Sequence, residues 1–401
     1  MNEPSLITPV TLSRRTFIQR TSTVLGGAAL ISSLPVERFA HAATGTDEIK
    51  LALVGCGGRG SGAANQALNT SNLGPVKLIA VADVHEDRLK SSLSNLQKSH
   101  GDRVDVPQER QLIGFDAYKK AIELADVVIL ATPPGFRPMQ FEEAVRQGKH
   151  VFMEKPVAAD AAGVRRVLAA AQEAKKKNLK VGVGLQRRHQ LGYIETMQRL
   201  HDGAIGDITS ARCYWNGQRP WQKKRVDLDK QYGRELTEME YQLRNWYYFT
   251  WLSGDHIAEQ HIHNIDVINW AKKGHPVKAR AMGGREITNN TDDGEIYDHF
   301  ACEFEYEDGS ICYSYCRHQP GCWNSVSEHV QGTKGRSDIG GYKIFGENQW
   351  RFKTEGAKDP YQQEHDDLFA AIRDNKEYNE AFSGAESTMT AILGRMAAYS
   401  G

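Results

Sequence analysis

The sequence lacks a charge excess of either sign: 50 Lys and Arg face 50 Asp and Glu over 401 residues, for a formal net charge of zero. Bulk attraction to nucleic acid or to an anionic membrane is thereby excluded. The six cysteines, Cys56, Cys213, Cys302, Cys312, Cys316 and Cys322, include no C-x-x-C pair, so zinc ribbons and thioredoxin-like sites are not indicated. Internal repeats and low-complexity tracts are missing too. The apolar stretch at 24–34 is too short to span a bilayer permanently, and nothing after it reads as a span.

What is present at the N-terminus is ordered. Ser13-Arg14-Arg15-Thr16-Phe17-Ile18 matches the twin-arginine pattern, the apolar stretch follows, and Ala40-His41-Ala42 offers a small-x-small cleavage site. Residues 1–42 therefore read as a twin-arginine signal peptide. They predict a periplasmic or otherwise exported protein that uses the twin-arginine machinery and has no membrane segment once the signal is removed. Such a chain folds before export, so mostly buried free thiols are expected rather than a dense disulfide framework.

The mature chain opens "IKLALVGCGGRGSGAANQAL". A short apolar run reads as a buried strand, and Gly55-x-Gly57-x-x-Gly60 follows at once, leading into a helical pattern. In a dinucleotide fold these glycines make the tight turn, let the backbone approach a pyrophosphate and pack helix on strand, and the phosphates sit on unpaired N–H groups. Gly58 and Arg59 lie in the same loop. A second apolar strand, 78–82, ends in Asp83, which stands where a carboxylate would accept the adenine-ribose hydroxyls and repel a 2′-phosphate. NAD is predicted, with NADP kept open by the nearby cations Arg59, His85 and Arg88. Asp83 also suits a helix N-cap. Strand "DVVILA" then ends in the loop "TPPGFRP", with Thr132 and Pro133 at the carboxyl edge where ligands bind in open α/β sheets. Strand "HVFMEKP" ends in Glu154-Lys155-Pro156, and "KVGVGLQRRH" supplies a sixth strand ending in Arg187. This βαβ series predicts a doubly wound parallel sheet over 47–182.

Residues 183–360 change character. "ITSARCYWN", "VKARAMGG", "DHFACEFEYEDGSICYSYCRH" and "WNSVSEHVQGTKG" alternate as strands, with Asp308-Gly309 as a hairpin turn. Residues 361–401 return to helical patterning and are expected to pack near the first domain. The segment "HIAEQHIHNID", 256–266, crowds three histidines, a glutamate and an aspartate together. On one helix at about 100° per residue, Asp255, His256, Glu259, His263, Asp266 and Trp270 share one face, and His261 falls with the apolar set. That face suits a metal site, a proton-transfer site or a polar seam.

Together "GCGGRG", the strand end at Asp83, "ILATPP", "GKHVFMEKP" and "EQHIHNID" resemble the glucose–fructose oxidoreductase/inositol dehydrogenase (Gfo/Idh/MocA) family. The resemblance implies a Rossmann domain followed by an α+β domain on a large, open, mostly antiparallel sheet, with substrate between that sheet and the nicotinamide. It implies oxidoreductase chemistry on sugars, cyclitols and polyols. By position, Lys155 matches the family's lysine that polarises the reacting oxygen, and His263 matches its general base. Glu259 stands where the family has an aspartate that commonly binds a substrate hydroxyl and is counted with the catalytic residues, and Asp266 completes the family's Asp-x-x-x-His-x-x-Asp spacing and is placed at the substrate. Glu154 and Lys155 are placed at the cofactor, Arg187 and Trp251 at the substrate, and no metal is required. Pro156 is expected to form a cis bond that aims Lys155 inward.

The expected activity is oxidation of a sugar, glycoside or polyol hydroxyl by a tightly bound, in-place recycled dinucleotide. The alternatives are a redox-neutral glycosidase or epimerase, and a non-catalytic sugar-binding protein. The broad sheet face implies a homodimer or homotetramer.

Overall fold

The computed structural model describes residues 48–353 and 356–401. The signal-peptide reading of 1–42 lies outside the described residues.

A parallel six-stranded sheet forms the first half. Its strands are β1 (Ile49–Val54), β2 (Val76–Asp83), β3 (Gln111–Ile113), β4 (Val127–Leu130), β5 (His150–Met153) and β6 (Val181–Val183), in spatial order 3-2-1-4-5-6. The order reverses between β1 and β4, so the carboxyl ends of these strands frame a crevice. Apolar runs bury both faces: Leu51, Leu53, Val127 and Ile129 face one cluster, and Ala52, Val54, Val128 and Leu130 face the other. Helix α1 (Gly58–Leu68) starts directly after the β1 turn. Helices α2 (Glu86–His100), α3 (Ala117–Leu124), α4 (Arg137–Arg146) and α5 (Ala161–Lys176) complete the layers. Edge strand β3 is too short and too exposed to show in the hydrophobic pattern.

After α6 (Leu191–His201), the second sheet holds β7 (Ile208–Gly217), β8 (Lys278–Gly284), β9 (His299–Glu305), β10 (Ile311–His318), β11 (Ser325–Gly332), β12 (Gly335–Asp338), β13 (Lys343–Gly346) and β14 (Trp350–Arg351). Its order is 14-13-12-11-7-10-9-8, antiparallel except for the β7–β10 pair. One face packs Cys213, Phe300, Phe304, Cys312 and Val330 into a core. The other is open, with Tyr214 stacked on Tyr315 at 5.6 Å and Met282 76% exposed. Between β7 and β8 run α7 (Arg225–Tyr232), α8 (Glu238–Arg244), α9 (Thr250–Ser253), α10 (His256–Glu259) and α11 (Ile262–Lys272).

Two C-terminal helices close the fold. Helix α12 (Pro360–Arg373) lies on α1, where Gln362 Nε2 donates to the Gln66 carbonyl at 3.0 Å. Helix α13 (Ala381–Ser400) serves both halves: a Cβ at Gly384 would stand 3.0 Å from Val183, and one at Gly394 2.8 Å from Phe304. All six cysteines are free thiols, with only Cys322 exposed. No helix among the described residues is long and apolar enough to cross a membrane.

Candidate active site

The β1–α1 turn is a cradle of bare backbone. Gly55 takes φ +96°, and a Cβ there would meet the Ala131–Thr132 backbone at 2.6–2.8 Å. At Gly60 a Cβ would collide with the Gly55 carbonyl oxygen, so helix and turn pack too closely for any side chain. At Gly57 a Cβ would meet only Arg88, at 3.6 Å, and at Gly58 nothing within 4 Å. No side chain caps the N-terminus of α1, and its first turn carries no acid. Open space in front of uncapped N–H groups at a helix N-terminus fits a dinucleotide pyrophosphate.

Asp83 closes the β2 end of this cradle. Its carboxylate accepts from the Cys56 N–H at 2.6 Å and the His85 N–H at 2.8 Å. These bonds fix the carboxylate beside the glycine turn and leave each oxygen further lone pairs for ribose hydroxyls. Asp83 does not cap α2 with its side chain; the N-cap is His85. Arg59 points along α1: its Nε donates to Glu154 at 2.5 Å, Glu364 lies 3.5 Å away, and Tyr361 stacks on the guanidinium at 4.8 Å. Thr132 and Pro133 begin the β4 loop, and the Thr132 hydroxyl donates to Gln140 at 2.6 Å.

Arg137, 2% exposed, donates to the carbonyls of Thr132 and Pro156 and so ties the "TPP" loop to the "EKP" loop. Burial depresses its pKa to about 10, against the pull of Glu154 and Glu259. Sequence reading missed it, because a buried arginine in an amphipathic helix looks like a surface one.

Lys155 follows β5, and its bond to Pro156 is cis. Its Nζ donates to the Glu259 carbonyl at 2.5 Å and to Glu259 Oε1 at 3.2 Å. Gln260 Nε2 holds the other carboxyl oxygen at 2.6 Å. Burial pushes the Glu259 carboxyl above its usual range even though Lys155 and Arg137 oppose it. His263 is 7% exposed, stacks against Trp215 at 5.9 Å, and leaves Nδ1 buried without a hydrogen-bond partner. Burial, with Lys155 and Arg187 nearby, holds its imidazole well below the usual pKa. A neutral imidazole with a spare nitrogen can accept a proton, and a cationic amine beside it can stabilise an alkoxide.

The single helical face expected for the histidine cluster does not form. Asp255 takes φ +73°, and the chain breaks at Gln260–His261 into the two helices α10 and α11. His256 consequently turns away: its Nδ1 lies 3.0 Å from the Tyr297 carbonyl and its ring 4.5 Å from His318. Asp266 is not turned to the cleft either. Arg188 grips it through contacts of 2.8–3.1 Å and the Ser387 hydroxyl donates at 2.8 Å, leaving it 1% exposed. His261 is a packed histidine, 2.7 Å from Ser314 and 3.7 Å from Cys213. Among the described residues, no three His, Cys, Asp or Glu side chains converge as a metal-binding group.

Arg187 reaches the site from the end of β6 but is bound to Glu328, which is fully buried. Glu328 also accepts from Asn264 at 2.5 Å and Tyr193 at 3.2 Å. Arg187 thus anchors the sheet to α11 and adds positive potential beside His263. Trp251, 41% exposed, lies at the "TPPGF" loop: it meets Phe136 edge-on at 5.9 Å and donates to Gln242 at 2.6 Å. Lys155, Glu259 and His263 are therefore brought together, Arg187 stands behind them, Asp266 is sequestered, and Trp251 marks a rim.

Residues 49–184 match the model of the oxidoreductase family with an NAD-binding Rossmann fold, and residues 193–337 match the Gfo/Idh/MocA C-terminal domain. A curated relative, the inositol 2-dehydrogenase/D-chiro-inositol 3-dehydrogenase of Halalkalibacterium halodurans, is 28% identical over 138 residues, 34% of this chain and 36% of the relative. The matched stretch thus spans little more than a third of that relative's length. An oxidoreductase from Thermotoga maritima superposes with TM-score 0.66 at 19% identity, over 88% of this chain and 97% of that one. The scyllo-inositol dehydrogenase of Lactobacillus casei, solved with NAD(H) and scyllo-inositol, gives 0.63 at 22% identity over 88% and 98%. At these identities the structural likeness is one of fold. With both halves covered by the two domain models, the chain belongs to the Gfo/Idh/MocA oxidoreductase family.

Proposed function

We propose that this protein is an exported NAD(P)-dependent oxidoreductase that acts on a hydroxyl of a sugar, glycoside or polyol and keeps its dinucleotide between turnovers. The observation that carries the reading is the convergence of Lys155, just past the end of β5, with Glu259 and a buried His263. A nicotinamide bound there supplies the hydride acceptor. The His263 imidazole takes the hydroxyl proton. Lys155 donates to the same oxygen and stabilises its developing charge. Glu259 positions Lys155 through Oε1 and its own carbonyl. The carboxylate of Asp83 favours NAD over NADP.

Export follows from Arg14-Arg15 and the segment after them. Outside the cytoplasm free NAD is scarce, so a dinucleotide held in this crevice would have to be recycled at the site. A second sugar that accepts the hydride at the same site achieves that.

One observation favours a second reading. Glu259 is buried with its carboxyl pushed toward the neutral form, beside a neutral histidine. An acid and a base side by side suit oxidation, elimination, hydration and re-reduction, which is redox-neutral glycoside cleavage. Incubating the purified protein with a panel of disaccharides and polyols, followed by mass spectrometry, separates the two. A product lighter by two hydrogens supports the oxidoreductase, released monosaccharides support the second reading, and unchanged sugars across the panel contradict both.

A further inference from the structure

The chain between β7 and α10 is an insertion from the second half that reaches back to the first. It has a core of its own, built on Leu228, Leu236, Tyr248 and Leu252. Thr237 closes a capping box with Glu240 at the start of α8, so the segment is an ordered element. Its outer surface meets the Rossmann half at the start of α2 and at the loop after β4, both at the carboxyl ends of the parallel strands that flank β1, among other contacts.

The first is the β2–α2 junction, where Asp87 sits in the first turn of α2. Tyr232 donates its hydroxyl to Asp87 Oδ2 at 3.0 Å, and Arg244 donates to both Asp87 oxygens at 2.9 and 3.1 Å. The Arg244 guanidinium also lies 4.3 Å above the Tyr232 ring, so the three side chains form one unit. Arg244 is 13% exposed and Asp87 49%. Val84, next to Asp83, packs onto the insertion's core. The second is the "TPPGF" loop after β4. Phe136 packs on the same core and meets Trp251 edge-on, and a Cβ at Gly135 would collide with the Trp251 carbonyl oxygen. The insertion therefore bridges the loop that begins at the ribose carboxylate and the loop that begins at Thr132.

We propose that residues 218–254 form a clasp over the dinucleotide crevice, and that Arg244 and Tyr232 are positioning residues that hold the clasp shut through Asp87. A dinucleotide lying between the two loops leaves only when the clasp lifts, so the clasp sets its dissociation rate. This rests on the reading of the protein as a carrier of a resident dinucleotide, and it supplies the physical means. A bidentate arginine–carboxylate pair backed by a tyrosine hydroxyl and an aromatic edge is stronger than a lone surface pair.

The test is NADH release. Wild type, Asp87→Ala, Asp87→Glu and the double variant Arg244→Gln/Tyr232→Phe are loaded with NADH, then chased with excess NAD while bound-cofactor fluorescence is followed. Release is expected to quicken about tenfold in Asp87→Ala and in the double variant, because affinity changes appear mainly in off-rate. Asp87→Glu, which keeps the charge pair, is expected to recover most of the slow rate. Thermal midpoints are expected to stay close to wild type, since Asp87 itself is half-exposed. Unchanged release rates in folded Asp87→Ala and double-variant proteins overturn the clasp. The wild-type rate by itself reports on the resident-cofactor reading: release within seconds defeats that reading, while the ratio between variants still decides the clasp.

Discussion

At the scale of single residues the proposed chemistry rests on protonation states. His263 is held neutral by burial and by Lys155 and Arg187, so its pKa lies below the ordinary imidazole value. A depressed pKa keeps the proposed base competent to lower pH. The acid limb of kcat/KM is accordingly expected to begin below the reference histidine value of about 6.5. A limb centred at or above that value assigns the base to another group. Lys155→Ala and His263→Ala are each expected to lower kcat by roughly 10²–10⁴ while leaving dinucleotide affinity nearly intact; titration with NADH by fluorescence and steady-state rates measure the two effects separately. Lys155 and His263 were legible in sequence through motif position. Arg187 and Asp266 were visible as residues but not in their roles, because their partners Glu328 and Arg188 lie 141 and 78 residues away. Trp215, which stacks on His263, carried no signal beyond lying in an alternating strand.

At the scale of elements, what could be read was what repeats locally. The apolar strands, the glycine turn and the Asp308-Gly309 hairpin follow from periodicity and turn chemistry, and the sheets contain them. The break between α10 and α11 was not readable. A 3.6-residue pattern runs through it uninterrupted, and the positive φ at Asp255 is held by long-range bonds from the Tyr297 N–H and the Tyr399 hydroxyl at 3.0 and 2.6 Å. The glycine turn gives an element-scale prediction. Gly60→Ala is expected to destabilise the protein by roughly 1–3 kcal/mol, because its methyl group must displace the Gly55 carbonyl. Thermal unfolding of the variant checks this, and an unchanged midpoint contradicts the packing described for α1. Asp83→Ser is expected to relax cofactor preference toward NADP, measured as the ratio of NADP to NAD affinity. Equal affinities in the wild type contradict the ribose assignment.

For the whole molecule, the open face of the second sheet and the proposed export impose separate demands. The face carrying Tyr214, Tyr315 and Met282 is expected to be buried between copies of the chain as a homodimer or homotetramer. Light scattering after size exclusion is expected to show the assembled mass, and Tyr315→Asp to reduce it. The proposed export signal at Arg14-Arg15 bears on the cofactor. A dinucleotide enzyme that works where no nicotinamide pool exists must arrive loaded and stay loaded. The most direct measurement is to purify the exported protein without added cofactor, dialyse it extensively, denature it and quantify the dinucleotide released. The account predicts close to one NAD or NADH per chain and activity without NAD in the assay. An empty protein that works only when NAD is supplied contradicts it.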